Sequence, residues 1–210
     1  LQRNSLLILD FSAPVQVAQY DRFEITFSLD KSYSNPFDPD QIDIQLVGES
    51  PSGKIFIAYG FYYQNYERSE RSGQENLVAV GQPFWKLRFA PLEVGKYSYY
   101  LSIRDADGLV ETATRSFVAA PTASDGFVRI SEKNPLYFAF DSGKPFYPIG
   151  YNIRSSYDLR YDEDLYVRLT GSPKKVVDRK TYFYDRKFET MAANGINATE
   201  TWMCPWWEEL

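Results

Sequence analysis

No histidine occurs among the 210 residues, and Cys204 is the only cysteine. Without histidine, the commonest general base, the Ser/His and Cys/His nucleophile pairs and nearly every catalytic zinc site cannot be assembled from this chain alone. A single cysteine excludes an internal disulfide and leaves the redox compartment open. Basic charge is in the minority, with 23 Lys and Arg against 28 Asp and Glu for a net charge of −5 and no strongly basic run. That balance argues against a protein that tracks phosphates, so no nucleic acid partner is expected. No apolar run approaches the ~20 residues of a membrane-spanning helix. The chain opens at Leu1 without a charged and apolar leader and reads as a mature or trimmed piece. Nothing in the composition calls for a cofactor or a metal.

Aromatic residues are what the chain has in excess: 17 Tyr, 15 Phe and 4 Trp, or 17%. Rings favour half-buried pleated surfaces, and most of these are expected in a core. From Leu6 to Val118 the hydrophobic period is two. It is carried by Phe23, Ile25, Phe27, Leu29; by Ile42, Ile44, Leu46; by Ile55, Ile57, Tyr59, Phe61; by Trp85, Leu87, Phe89; and by Tyr97, Tyr99, Leu101, Ile103. Leu6–Leu9 and a less regular strand from Leu109 to Val118 bring the total to seven. Turn residues separate them at 35–39, at Pro51-Ser52-Gly53, at Ser72-Gly73 and at Asp105-Ala106-Asp107-Gly108. Seven short strands in about a hundred residues predict a mostly β fold, an immunoglobulin-like antiparallel β-sandwich. Glu93 to Tyr99 has the spacing of a tyrosine corner, with Tyr97 as the ring that bonds back to the chain and Tyr99 where an antibody domain has its second cysteine; packing must replace that bridge. Asp105 and Asp107 are explained by an Asp-Gly turn without a metal.

After Val118 the small and turn-forming run Ala119 to Gly126 marks a boundary. The expected organisation is a sandwich over 1–120, a linker over 121–126 and a different element set over 127–210. In the last part Phe127–Ile130 and Tyr137–Phe140 alternate as a hairpin, and Pro145 to Asn152 reads as a buried strand delivering a polar residue to a loop. Arg154 to Asp178 is polar and without period, hence a long loop. A helix should follow, with Phe183, Phe188, Met191 and Ala192 on one face, Asp178 or Thr181 at its start and Gly195 as the residue just past its end. Ile196 to Met203 reads as a second strand. Strand, helix and strand form a βα unit that pairs in parallel. Fewer than a hundred residues follow the linker, whereas a (β/α)8 barrel takes ~250, so the chain is expected to be the amino-terminal portion of a longer protein.

These residues resemble bacterial glycoside hydrolases in which an immunoglobulin-like sandwich precedes a (β/α)8 TIM barrel. The resemblance is carried by Gly126 to Ser131, by Asn134 to Phe138, by Asp141 to Asn152 ("DSGKPFYPIGYN"), by Met191 to Trp202 ("MAANGINATETW"), by Met203 to Trp206, and by Phe84 to Pro91 with Gly95-Lys96-Tyr97. It implies a truncated barrel start after the sandwich, hydrolysis of a polysaccharide or glycan, and two catalytic carboxylates at the ends of the fourth and seventh barrel strands, outside this chain. No catalytic residue is assigned within it. Asp162-Glu163-Asp164 reads as a solvated loop and Glu208-Glu209 as the start of a further helix. The related pattern Gly-x-Asn-x-x-Arg has Glu200 in place of its Arg, either a substrate contact of its own or a sign of altered activity. The resemblance also implies export to a secreted, periplasmic or cell-surface location, with the remainder of the barrel as a partner.

Barrel substrates bind at the carboxyl ends of strands. Asn152 closes the first strand, and Trp202, Trp206 and Trp207 close the second, so these four are the candidate substrate-binding residues. An indole face stacks on a pyranose ring, and an amide can hold a hydroxyl. For Trp202 a place in a barrel layer stays equally open. Asn197-Ala198-Thr199 fits a glycosylation sequon, but its expected place in a buried strand argues against its use. The alternative function is a non-catalytic carbohydrate-binding or surface-interaction β-sandwich module, presenting Phe61, Tyr62, Tyr63 and Tyr66 as an aromatic platform.

Overall fold

The computed structural model describes residues 6–71, 74–150, 152–153 and 181–201. The chain falls into two compact units, Leu1–Asn65 with Gly81–Pro145, and Tyr66–Val80 with Phe146–Leu210. The fold is mostly β, with one helix among the described residues.

In the first unit the period-two segments become strands. They are β1 (Ile8–Ser12), β2 (Gln16–Ala18), β3 (Phe23–Leu29), β4 (Ile42–Glu49), β5 (Ile55–Arg71), β6 (Gln74–Phe89), β7 (Gly95–Asp105), β8 (Gly108–Glu111) and β9 (Arg115–Ala120). Hydrogen bonding orders them β1-β3-β6-β5-β4-β7-β9-β2, with β8 on β7. The terminal strands of that order, β1 and β2, are consecutive in the chain and only residues 13–15 separate them, so the sheet must curl on itself. β2 runs parallel to β9, with Gln16 opposite Val118.

The curl encloses the core. Phe23, Ile25 and Leu46 are fully buried, and Phe27, Leu101 and Phe117 are nearly so. Phe23 on β3 stacks on Phe117 of β9 with ring centres 3.9 Å apart and meets Tyr99 of β7 edge-on at 5.6 Å. Burying each such side chain contributes about 1.5–3 kcal/mol. The corner at Tyr97 also forms: its hydroxyl accepts from the Glu93 N–H at 2.9 Å, and the ring is buried.

Three features differ from the sequence reading. The first strand begins at Ile8, with Leu6 buried just ahead of it, and β2 is additional. The irregular strand read from Leu109 to Val118 is two strands, because β8 closes a hairpin with Asp105 opposite Gly108 before the chain turns into β9. In β5 the strand is present but its faces are exchanged. Ile55, Ile57 and Tyr59 are 66%, 51% and 66% exposed, whereas Ala58 is buried and Phe56 packs on the core. Both parities of this strand carry apolar side chains, so alternation cannot choose between them; pairing with β4, which sets Val47 opposite Ile57, makes the choice.

Residues 128–146 add a small sheet of β10 (Val128–Ile130), β11 (Phe138–Phe140) and β12 (Pro145–Phe146), in which Val128 lies opposite Phe140. Asp141 fastens its entry, accepting from the Phe127 N–H at 2.8 Å and pairing with Arg129 at 3.1 Å. Lys144 reaches back to Asp125 at 2.8 Å.

The second unit contains the helix α1 (Thr181–Ala193). Its end is a Schellman motif. Gly195, at φ +74°, donates to the Ala192 carbonyl at 3.1 Å, and Ile196 donates to the Met191 carbonyl at 3.0 Å. The accompanying apolar contact is present too, since Ile196 packs against buried Met191. The buried face runs through Tyr184 and Met191; Phe188 and Ala192, expected on it, are exposed. A period of 3.6 over so few turns leaves the phase of the stripe to the residue it meets, which is Ile153.

Candidate functional site

Within the second unit, residues 149–150 and 152–153 run beside 197–201 in the same direction. Gly150 bridges Ala198 and Ile153 bridges Thr201, both in parallel. The backbone bonds are Asn197 N–H to the Ile149 carbonyl at 2.9 Å and Ile153 N–H to the Glu200 carbonyl at 2.9 Å. Gly150 has to be glycine: a Cβ there would run into the carbonyl of Ala198. Ile153 is buried with Met191 of α1, so the helix covers one face of the pair.

Asn197 braces the pair with its side chain. Its Oδ1 accepts from the Ile149 N–H at 2.8 Å and its Nδ2 donates to the Tyr147 carbonyl at 3.0 Å. Both halves of the amide are thereby engaged with backbone. Asn197 is exposed rather than buried in a strand, so the expected depth that argued against the sequon is not found. The resemblance had marked the Gly-Ile-Asn segment without giving Asn197 a task; two backbone groups that need partners just before the bridged segment supply one.

Asn152 lies at the carboxyl end of the first segment and is exposed. The segment alternates there, with Ile153 turned to the helix and Asn152 outside that buried cluster. Glu200, whose carbonyl bonds the next residue after Asn152, is likewise exposed. An amide and a carboxylate at the ends of adjacent parallel segments can together donate to and accept from sugar hydroxyls. Trp202, Trp206 and Trp207 lie outside the described residues, as do Ser72-Gly73, the loop from Arg154 to Asp178, Asp162-Glu163-Asp164 and Glu208-Glu209.

The first unit offers other candidate surfaces. Tyr62 does not join a platform with its neighbours: strand alternation turns it inward onto Trp85 at 5.1 Å, while Phe61 and Tyr63 face out. On that outer face the ring of Tyr63 is covered by the ammonium of Lys86, 3.9 Å from its centre, and Arg88 sits 5.1 Å over Phe61. Glu24 pairs with both cations, accepting from Lys86 at 3.1 Å and from Arg88 Nε. Burial alone would raise the Glu24 carboxyl; the Arg88 and Lys86 donors outweigh it and hold the group below the usual carboxylate range. The rings of this face are thus already engaged with cations. Tyr66, the fourth ring of the expected platform, belongs to the second unit and is exposed.

Asp105 and Asp107 are joined by an ammonium, Lys31, at 3.0 and 2.7 Å, and Tyr33 donates to Asp105 at 3.1 Å. Burial works to raise Asp105, but the Lys31, Asp107 and Tyr33 donors leave it below its ordinary value. Among the described residues no group of three or more metal-ligating side chains converges. A cavity of about 280 Å³ opens between Phe56, Phe89, Tyr97 and Leu92. Its walls are rings and alkyl groups, and the carboxylate at its edge, Glu93, already accepts from Ser50 and Ser52. It offers a sugar few polar partners.

A family model, a domain of unknown function named DUF5060, matches residues 16–104, from the start of β2 into β7. A crystal structure described as a "putative glycoside hydrolase" from Bacteroides vulgatus ATCC 8482 is similar over 69% of this chain and 24% of its own, at 21% identity and a TM-score of 0.49. This chain therefore spans about a quarter of that protein's length. CopC from Methylosinus trichosporium OB3b is similar over 57% of this chain and 97% of its own, at 17% identity and a TM-score of 0.29. At these scores neither likeness carries fold or function across. No curated protein matches the chain.

Proposed function

We propose that these 210 residues are the amino-terminal part of a bacterial glycoside hydrolase, an exported enzyme acting on a polysaccharide or glycan. In this reading the curled sheet is an immunoglobulin-like sandwich serving as accessory domain over residues 1–120. Residues 121–126 are its linker, and residues 127–210 are a hairpin followed by the opening strands and helix of a (β/α)8 barrel. The observation that supports it most is the parallel pairing of 149–150 and 152–153 with 197–201 on either side of α1, the one arrangement a barrel start requires. Asn152 contacts the sugar from the end of the first strand, Trp202, Trp206 and Trp207 are the further candidate substrate contacts, and Glu200 contributes a carboxylate contact to the sugar. The catalytic pair, two carboxylates about 5–5.5 Å apart for retention and wider for inversion, belongs to later strands.

The test is the reading frame beyond Leu210 and the protein it encodes. Further strand-helix repeats with Glu closing the fourth and seventh strands, and release of reducing sugar by that longer protein, are expected. Loss of this release on changing both glutamates to Gln, with weaker substrate binding in Asn152→Ala, completes the expectation. A stop codon shortly after Leu210, or a longer protein inert on a broad glycan panel, refutes the proposal. The module reading draws its support from the exposed row Ile55, Ile57 and Tyr59 on β5 rather than from Phe61–Tyr63. Retention on glycan affinity gels that is lost in Tyr59→Ala would favour it.

A further inference from the structure

The helix α1 begins without an acidic residue in its first turn. Helix N-termini leave four N–H groups without intrahelical partners and carry the positive end of the dipole, so an acceptor has to come from somewhere. Thr181, expected from the sequence to cap the helix itself, uses its hydroxyl otherwise. It donates to Glu75 Oε1 and accepts from Arg68 Nη1 at 2.8 Å. The Thr181 N–H donates to the other Glu75 oxygen at 3.2 Å. The Glu75 side chain is only 1% exposed. A carboxylate withdrawn from water to that degree must be answered by donors or cations, and Thr181 with Arg68, 4.0 Å away, provides both. Arg68 continues along the helix, 2.5 Å from Asp185 and 4.2 Å over the ring of Tyr182.

Glu75 and Arg68 lie on the distal halves of β6 and β5, which belong to the same compact unit as the helix although they are about a hundred residues upstream. Those distal halves leave Leu77, Val78 and Val80 half exposed. A two-stranded ribbon with so little apolar cover is marginal in water by itself.

We propose that residues 66–80 form an arm whose task is to cap and clamp α1 from outside: Glu75 supplies an acceptor to the Thr181 N–H and hydroxyl, and Arg68 fastens the first turn through Thr181, Tyr182 and Asp185. The arm and the helix order one another. Through Met191, which is buried with Ile153, the clamp extends from α1 to the bridged residues beside it. The proposal stands whether or not the chain belongs to a glycosidase.

Hydrogen exchange on the whole 210-residue chain, resolved by peptide, tests it. Glu75→Gln is expected to speed exchange of amides 185–193 about fivefold, the equivalent of a lost N-cap. Peptides covering 97–103 should be unchanged, and so should both regions in Glu67→Gln, a carboxylate of the same arm that caps nothing. Arg68→Met, which leaves Glu75 in place, should act in the same sense. Thr181→Asp places a second carboxylate against Glu75 and should loosen the helix in the native background, yet protect it in the Glu75→Gln background, where the new carboxylate meets Arg68 and the positive end of the dipole without a like charge beside it. Helix protection that ignores Glu75→Gln overturns the proposal. So does a Thr181→Asp effect of the same sign in both backgrounds, or an equal loss of protection over 97–103, which would mark general unfolding rather than a local cap.

Discussion

Replacing Tyr97 by Phe isolates one atom of the corner that opens β7. The ring keeps its place among Phe56, Phe89 and Phe117, with the Phe117 ring stacked 4.9 Å away, so burial and packing are conserved. Only the oxygen that accepts from the Glu93 N–H at 2.9 Å is lost. A donor left without its partner away from water costs about 1–3 kcal/mol. Glu93 is only partly buried, and the neighbouring cavity between Phe56, Tyr97 and Leu92 gives water a way to the bare N–H. The expected cost is therefore in the lower half of that range, about 1–2 kcal/mol, or a fall in melting temperature of about 2–8 °C for a domain of this size. The Glu93 side chain remains tied to Ser50 and Ser52, so the turn should not open and the urea m-value should stay as it is. Urea unfolding followed by near-ultraviolet circular dichroism measures both quantities. A loss below about 0.3 kcal/mol would refute the idea that the hydroxyl holds the corner. A changed m-value would show that the substitution acts on the unfolded ensemble instead.

Gly195→Ala forces a Cβ into a left-handed conformation and should cost about 1–2 kcal/mol, seen as faster exchange at Asn194, Gly195 and Ile196. Phe23→Ala removes a ring that touches Phe89, Tyr99 and Phe117, and should cost about 3–5 kcal/mol in urea unfolding; a cost under 1 kcal/mol would mean the core collapses into the space. Asp105 has a carboxyl held below its unfolded value, so its contribution is present above about pH 4 and is lost as the pH falls through the lower folded value. The urea midpoint of Asp105→Asn should lie below that of the native protein at pH 6 and converge with it towards pH 2; parallel pH curves would count against the Lys31 pairing as its origin.

The β core was legible because period two is a local property and one parity was apolar. Phe23, Ile25 and Phe27, or Tyr97, Tyr99, Leu101 and Ile103, each name a buried face without help from neighbours. Where both parities are apolar, as in Ile55-Phe56-Ile57-Ala58-Tyr59, the facing depends on β4, a partner no window of sequence contains. The reach of β5 to Arg71 and the start of β6 at Gln74 were also hidden. Glu67, Arg68, Ser69 and Glu70 have no hydrophobic rhythm, and this stretch is ordered by α1, which begins at Thr181. At the candidate site Gly195 was readable because a left-handed residue after a helix is nearly always glycine. Asn152 was placed by its position at the end of an apolar run. The engagement of Asn197 with Ile149 and Tyr147 was not readable, since an amide that braces backbone looks in sequence like one that binds a ligand.

The two outermost strands of the curled sheet, β1 and β2, are short and irregular. β1 slips register between Leu9 and Ser12, Asp10 has φ +50°, and Pro14 lies in the join. Such strands are poor templates for another chain, whereas the strands they screen, Phe23–Leu29 and Arg115–Ala120, are regular. Residues 8–18 therefore give the sheet a blunt border on both sides. Their removal would bare the edges of Phe23–Leu29 and Arg115–Ala120, two regular strands able to template a neighbour.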